Sequence, residues 1–338
     1  MTRLIKLGLL ITGLALFLSS CGGDEPTIQI ADFGSFTLNG GGEEMPNQAF
    51  VDLSSETQSS VNKYAWDLGF YTAAGSHKVV VNNSAYVMAQ PIDKKDLNAV
   101  VAADTLGFGA DMVVSNYVNA DAANWIDDQS GDLDATAFGT ISSTDSENKV
   151  FIISRPNGDW KKVRVLQNGD DYTLQYANIA ATTFDEVTIK KDDNYNFIFF
   201  DLDGSEVEVE PRKNAWDMMY GTFANRANFG SILAIGYKDY IITNRNGVEV
   251  AQVLTEEISY DDITLDDVIG LSFNSDINAI GSNWRSGGGP SGGPELFTDR
   301  YYVMRDTDGI PYKIMITALY TLEGERGYPE FIYELITE

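Results

Sequence analysis

From Thr27 onward, apolar and polar residues alternate with a period of two in short stretches, and long helical periodicity is rare. Lys162-Val-Arg-Val165 and Lys313-Ile-Met-Ile316 show the pattern expected of half-buried β-strands. Between apolar runs stand Asn157-Gly158, Asn168-Gly169, Asp203-Gly204, Asn246-Gly247 and Asp308-Gly309. These dipeptides reach positive φ at little cost, so each predicts a two-residue hairpin and together they predict an antiparallel, all-β fold. Residues 97–149 and 254–300 break the alternation. They are rich in Asp, Asn, Ser, Ala and Gly, and Gly287–Pro294 is a glycine-rich loop. Binding sites collect on long irregular segments carried by a rigid sheet, so a ligand is expected there.

The landmarks recur in order. Phe50-Val51-Asp52-Leu53 precedes Trp66-Asp67-Leu68-Gly69-Phe70, and Phe199-Phe200-Asp201-Leu202 precedes Trp216-Asp217-Met218-Met219-Tyr220. Val80-Val81-Asn82-Asn83 answers to Ile241-Ile242-Thr243-Asn244, Ala89-Gln90 to Ala251-Gln252, and Asn124-Trp125 to Asn283-Trp284. Gly158, Lys162 and Val163 match Gly309, Lys313 and Ile314 at a constant offset of 151. Such order predicts a tandem duplication: two antiparallel domains, 30–185 and 186–338, with the boundary near Ala177 to Asp193. The Trp-Asp motifs are expected to be structural, the indole buried and the aspartate binding backbone donors at a strand end. Adjacent strand residues face opposite sides, so at most one of Met218 and Met219 is expected to face the core.

Residues 1–21 lie outside this argument. Arg3 and Lys6 followed by the apolar run Leu7–Leu18 make a signal peptide, and Leu18-Ser19-Ser20-Cys21 is a lipobox whose cysteine receives lipid. Residues 22–29 form a short polar tether, and the acidic residues Asp24 and Glu25 behind the anchor resemble the signal that exports Bacteroidota lipoproteins to the cell surface. Cys21 is the only cysteine, so no disulfide framework or thiolate site remains after lipidation. The chain carries 23 Lys and Arg against 50 Asp and Glu, a net charge of −27. Such a field repels nucleic acid, which excludes it as a partner.

Enzyme templates are absent in any convincing form. Gly289-Pro290-Ser291-Gly292-Gly293 matches a nucleophile-elbow pattern but lies in a glycine loop, without the flanking strand and helix. Asp201-Leu-Asp203-Gly204 and Asp306-Thr-Asp308-Gly309 are turns rather than calcium loops, since the later glutamate is missing. The single histidine, His77, sits in Gly75-Ser76-His77-Lys78, expected as an exposed hairpin tip.

With its lipobox, its Trp-Asp-Leu-Gly-Phe strand and its closing Asp308–Ile316 and Gly327–Tyr333 stretches, the chain resembles the HmuY family of haem-binding lipoproteins of Bacteroidota, as a tandem pair of such domains. The resemblance implies a non-enzymatic, outer-membrane surface lipoprotein that captures haem or a related tetrapyrrole and hands it to a receptor. It implies two axial ligands, both histidine or both methionine, one before the Asn-Trp position and one shortly after it. This chain departs from that pattern. Ile126–Ser130 and Arg285–Gly289 hold neither His nor Met, and only Met112 precedes Trp125 suitably. A displaced haem site would use His77 with Met88 or Met112, since imidazole and thioether both hold haem iron. The alternative is a fold of this family without haem, acting as a surface module for protein or glycan contact.

Overall fold

Along Arg326–Leu335 the side chains of Phe331 and Tyr333 are buried while Glu330, Ile332 and Glu334 face outward, as a strand with one covered face requires. A computed structural model of the chain describes residues 31–115, 117, 119–288 and 292–337, which hold eighteen strands. Residues 1–21, expected as a signal peptide ending in lipidated Cys21, and the whole expected tether 22–29 lie outside the described residues. The first strands are β1 (Phe33–Thr37), β2 (Asn47–Asp52), β3 (Thr57–Asn62), β4 (Leu68–Tyr71), β5 (Val79–Val81) and β6 (Met88–Ile92). After a long irregular segment come β7 (Val150–Ser154), β8 (Trp160–Asn168), β9 (Asp171–Asn178), β10 (Asp185–Ile189), β11 (Phe197–Asp201) and β12 (Ser205–Val207). Then follow β13 (Met218–Asn228), β14 (Ile232–Thr243) and β15 (Glu249–Leu254), a second irregular segment, and β16 (Arg300–Arg305), β17 (Pro311–Tyr320) and β18 (Arg326–Leu335).

The strands form four antiparallel sheets, ordered β1-β18-β17-β16-β15, β10-β9-β8-β7-β6, β12-β11-β4-β5 and β14-β13-β2-β3. The fold is all-β. The irregular segments carry short 3-10 turns and one brief helix, α1 (Leu265–Gly270), which Thr264 and Asp267 cap reciprocally.

The units of pairing differ from the halves of the sequence. β1 pairs with β18, and β2 pairs with β13, so the first three strands belong with the end of the chain. In the same way β10 pairs with β9, and β11 with β4. One pair of sheets is therefore built from the continuous stretch β4–β12, and the other from β1–β3 together with β13–β18. A division at 185/186 would cut β10 from the sheet of its partner β9.

Each pair of sheets encloses its own core. Val51, Leu53, Met218, Tyr220, Met304, Tyr312, Phe331 and Tyr333 fill one, and Leu68, Phe70, Ile153, Val163, Tyr172, Leu174 and Phe200 fill the other. The two four-stranded sheets also meet through their second faces. Phe50, Trp66, Phe197, Phe199, Val209, Trp216 and Met219 make that seam. Met218 thus packs in a core and Met219 in the seam, both buried, because β13 is covered on both sides. The two face opposite sides of the strand, as expected, and the other sheet covers the second side.

The predicted turns are present with one change of kind. Only Gly169 closes a two-residue hairpin, between the paired Asn168 and Asp171. Gly158, Gly204 and Gly309 lie in longer hairpin loops, while Gly247 turns the chain from β14 into β15, which belongs to another sheet. Asp201 and Asp306 accept backbone N–H groups of Asp203 and of Asp308 and Ile310, so both Asp-Gly stretches act as turns.

Candidate functional site

The irregular segment between β6 and β7 is fastened by one buried lysine. Lys162 Nζ donates to the carbonyls of Leu97, Val100 and Ala181 at 2.8, 2.7 and 2.7 Å, which replaces the hydration its ammonium loses. Desolvation still lowers its pKa. Lys313, its counterpart in the sequence, reaches the carbonyl of Tyr260 in the other irregular segment at 2.9 Å. Lys94 adds an ion pair to Asp104 at 2.7 Å. The turns that follow are too short to stand alone and depend on caps, as where Asn119 Oδ1 accepts the N–H of Asp121 at 2.8 Å.

Beneath this segment Met88 of β6 and Met112 pack in one cluster with Trp125, Ile126, Ala224 of β13 and Ala234 of β14. Met88 is 0% and Met112 3% exposed. The Ser115 N–H donates to the carbonyl of Ala234 at 2.7 Å, which ties the segment to β14 beside the small alanines. Leu106, Val113 and Tyr117 are exposed on the segment, and Phe229 and Ile232 at the tip of the β13–β14 hairpin. Tyr117 and Phe229 meet edge to face with ring centres 6.2 Å apart, although they are 64% and 62% exposed.

His77 lies elsewhere. It sits in the β4–β5 loop as expected, yet it is buried, its ring edge-on to Tyr172 at 5.1 Å and its Nε2 without a hydrogen-bond partner. The loop is drawn inward because Lys191 Nζ donates to the carbonyls of Ala73 and Ser76, and Tyr172 Oη accepts the Lys78 N–H. The expected exposed tip is therefore corrected. The structure joins Met88 with Met112 and leaves His77 with a different core.

The positions after the two Asn-Trp pairs have other work. Asp127 accepts the N–H groups of Val81 and Ala137 at 2.7 and 2.8 Å, and burial pushes its pKa up to about 7. Arg285 pairs with the fully buried Asp239 at 3.2 Å, where Arg326 also converges. Among the described residues no group of three or more His, Cys, Asp or Glu could hold a metal ion, and no helix is long and apolar enough to cross a membrane. Residues 289–291 of the Gly-Pro-Ser stretch lie outside the described residues.

The sequence gives no local sign of the meeting between Met88, Met112 and the two alanines, since β13 and β14 lie more than 100 residues further on. No curated protein and no solved structure matches the chain. One family model, HmuY protein, matches residues 44–333 in a single span that runs from just before β2 into β18 and so covers both pairs of sheets. On that match, the chain belongs to the HmuY family.

Proposed function

We propose that the chain is a non-enzymatic surface protein, anchored to the outer membrane through lipid on Cys21, that captures haem or a related tetrapyrrole for a receptor. The observation that carries this reading is the meeting of Met88 and Met112 in one cluster, with Met112 on a segment that also exposes Leu106, Val113 and Tyr117. Thioether sulfur suits haem iron, and the apolar surface of Leu106, Val113 and Phe229 suits a porphyrin edge. Met88 and Met112 would hold the iron of bound haem through their thioether sulfurs. His77 does not join them. Haemin titrated into residues 24–338 should give a saturable Soret shift that Met112→Leu and Met88→Leu weaken and His77→Ala leaves intact. No shift, or one indifferent to both methionines, would sink the reading.

The neighbouring exposed rings of Tyr117 and Phe229 favour one second reading, contact with a protein or a glycan. It calls for a folded protein indifferent to haemin whose partner is lost on Phe229→Ser. The equivalent pairing order of β1–β9 and β10–β18 supports descent by duplication, with the two copies exchanging their first three strands.

A further inference from the structure

Each pair of sheets has two edge strands at corresponding places, β1 and β3 in one pair, β10 and β12 in the other. The first edge is closed. Gln58 of β3 donates to the Thr37 carbonyl at 3.2 Å and accepts the Asn39 N–H at 3.0 Å, while the Ala31 N–H reaches the Ser54 carbonyl at 3.1 Å. The second edge is open. Among the described residues the backbone of β10 bonds to β9 alone.

One substitution between the copies accounts for the difference. Gln58 lies opposite Val51, and Glu206 of β12 lies opposite Phe200, the same place in the repeated Phe-x-Asp-Leu motif. Gly34 lies opposite Tyr333 and Asp185 opposite Tyr176, and these tyrosines pair with the matching Ile314 and Val163. Thr188, three residues after Asp185, therefore stands where Thr37 does. Glu206 occupies the position of the stapling amide, but a carboxylate has no N–H to give a carbonyl. It has neither hydrogen bond nor ion pair among the described residues, and partial desolvation raises its pKa.

The hairpin before β10 fixes which of its groups are left over. Asn168 and Asp171 flank a two-residue turn and so bond to each other, after which the bonding side alternates along β9. Tyr172, Leu174 and Tyr176 thus turn to β10, opposite Ile189, Val187 and Asp185. The N–H and C=O groups of Glu186 and Thr188 point away from the sheet. Beside the end of this strand opens a groove of about 640 Å3, lined by Lys190, Asp192, Asp193, Ile198 and Glu206 among others. Lys191 is spent there on Asp170 at 3.1 Å and on the carbonyls of Ala73 and Ser76. Asp192, Asp193 and Glu206 outnumber the remaining Lys190, so the groove is negative.

We propose that β10 and this groove dock an extended, cationic segment of a partner protein, which adds a strand at Glu186 and Thr188 and sets a Lys or Arg on Glu206. A row of unpaired backbone groups is a template for such pairing, and the side chains of the added strand supply specificity. A second copy of the chain is a poor occupant, because it brings a further −27 of charge. Neither Met88 nor Met112 lines the groove, so the docking surface stands apart from the methionine cluster.

Fluorescence anisotropy with residues 24–338 tests the assignment. The probes are two labelled, end-blocked octapeptides, one alternating Lys with Val and the other Lys with Pro. In about 0.15 M salt the Lys-Val peptide should bind saturably and slow hydrogen exchange at Glu186 and Thr188. The Lys-Pro peptide has the same charge but lacks alternate N–H donors, and should bind at least about ten-fold more weakly. Thr188→Pro removes an outward donor at an edge, where proline is tolerated, and should weaken the Lys-Val peptide at least about ten-fold. Glu206→Gln removes the charge and restores the stapling amide, with the same result expected. No saturation by about 1 mM peptide, equal binding of the two peptides, protection confined to other strands, or unaltered binding to Glu206→Gln would each overturn it. So would a dimer of the chain that Thr188→Pro dissociates. If Thr188→Pro does not fold, Glu206→Gln, at an exposed position, decides alone.

Discussion

The carboxylate of Asp67 accepts the backbone N–H of Leu202 at 2.8 Å, across 135 positions of sequence. The reciprocal bond exists too: Asp217 accepts the N–H of Leu53 at 2.8 Å, across 164 positions. Each Trp-Asp motif is thus closed by the Phe-x-Asp-Leu motif from the other half of the chain. The backbone repeats the exchange, with Asp67 N–H on the Phe200 carbonyl and Asp217 N–H on that of Val51.

Asp217→Ala should cost about 1–3 kcal/mol, because the Leu53 N–H is left buried without an acceptor. Asp217→Asn retains an amide oxygen and should cost less. Urea titration of both variants checks the order, and equal losses would show that the hydrogen bond is not what the carboxylate contributes.

Stability should rise as pH falls from 8 toward 5. Burial is the main cause that lifts Asp217 to about 7 and Asp67 to about 6. Neighbouring Asp52 and Asp306 add to the rise at Asp217, whereas Arg155 at 3.0 Å restrains it at Asp67. The folded state then holds protons that the unfolded chain has released, so raising pH through these values draws the equilibrium toward unfolding. A gain of even 1 kcal/mol would lift the melting temperature by about 2–4 °C. Thermal melts across that range test the sign, and Asp217→Asn should flatten the slope.

Residues 63–210 should fold alone. They hold β4–β12, which complete two packed sheets and include both Asp67 and Leu202. Residues 30–185 and 186–338 each lack strands their sheets require. Circular dichroism melts of the three fragments should show a cooperative transition for 63–210 only.

Met112→Leu and Met88→Leu conserve volume and should each cost less than about 1.5 kcal/mol, whereas Met88→Ala in the fully buried cluster should cost about 2–5 kcal/mol. Loss of a haemin shift in the leucine variants would then report ligation and not collapse of the core. Melts run beside the titrations separate the two.

Lys162→Met should loosen the segment that carries Met112, since three buried carbonyls lose their donor at about 1–3 kcal/mol each at most. Hydrogen exchange should quicken at Val100 and Asp104 while β8 stays protected. Unchanged exchange would mean that the segment is held by its apolar contacts.

Strands and turns were legible in the sequence because they rest on neighbours: short apolar runs such as that of β17, positive-φ glycines at 158 and 309. The exchange was not, since motif order along the chain is the same whether Asp67 meets Leu53 or Leu202. The burial of His77 was hidden for a similar reason, as the ring it packs against comes from β9. Even the asparagine landmark shifts by one. Asn82, not Asn83, donates to the carbonyls of Lys63 and Trp66, as Asn244 does to those of Lys213 and Trp216. That alignment sets Arg245 opposite Asn83.

The neighbouring places of β1 and β18 have a topological consequence. Phe33 lies opposite Glu334, so a short linker could close the backbone into a ring. Read around that ring, β4–β12 form one pair of sheets and β13–β18 followed by β1–β3 form the other, nine consecutive strands in each. A circular permutant opened between β12 and β13 would therefore contain two ordinary tandem domains with every contact kept. What looks like interlacing depends only on where the ring is cut.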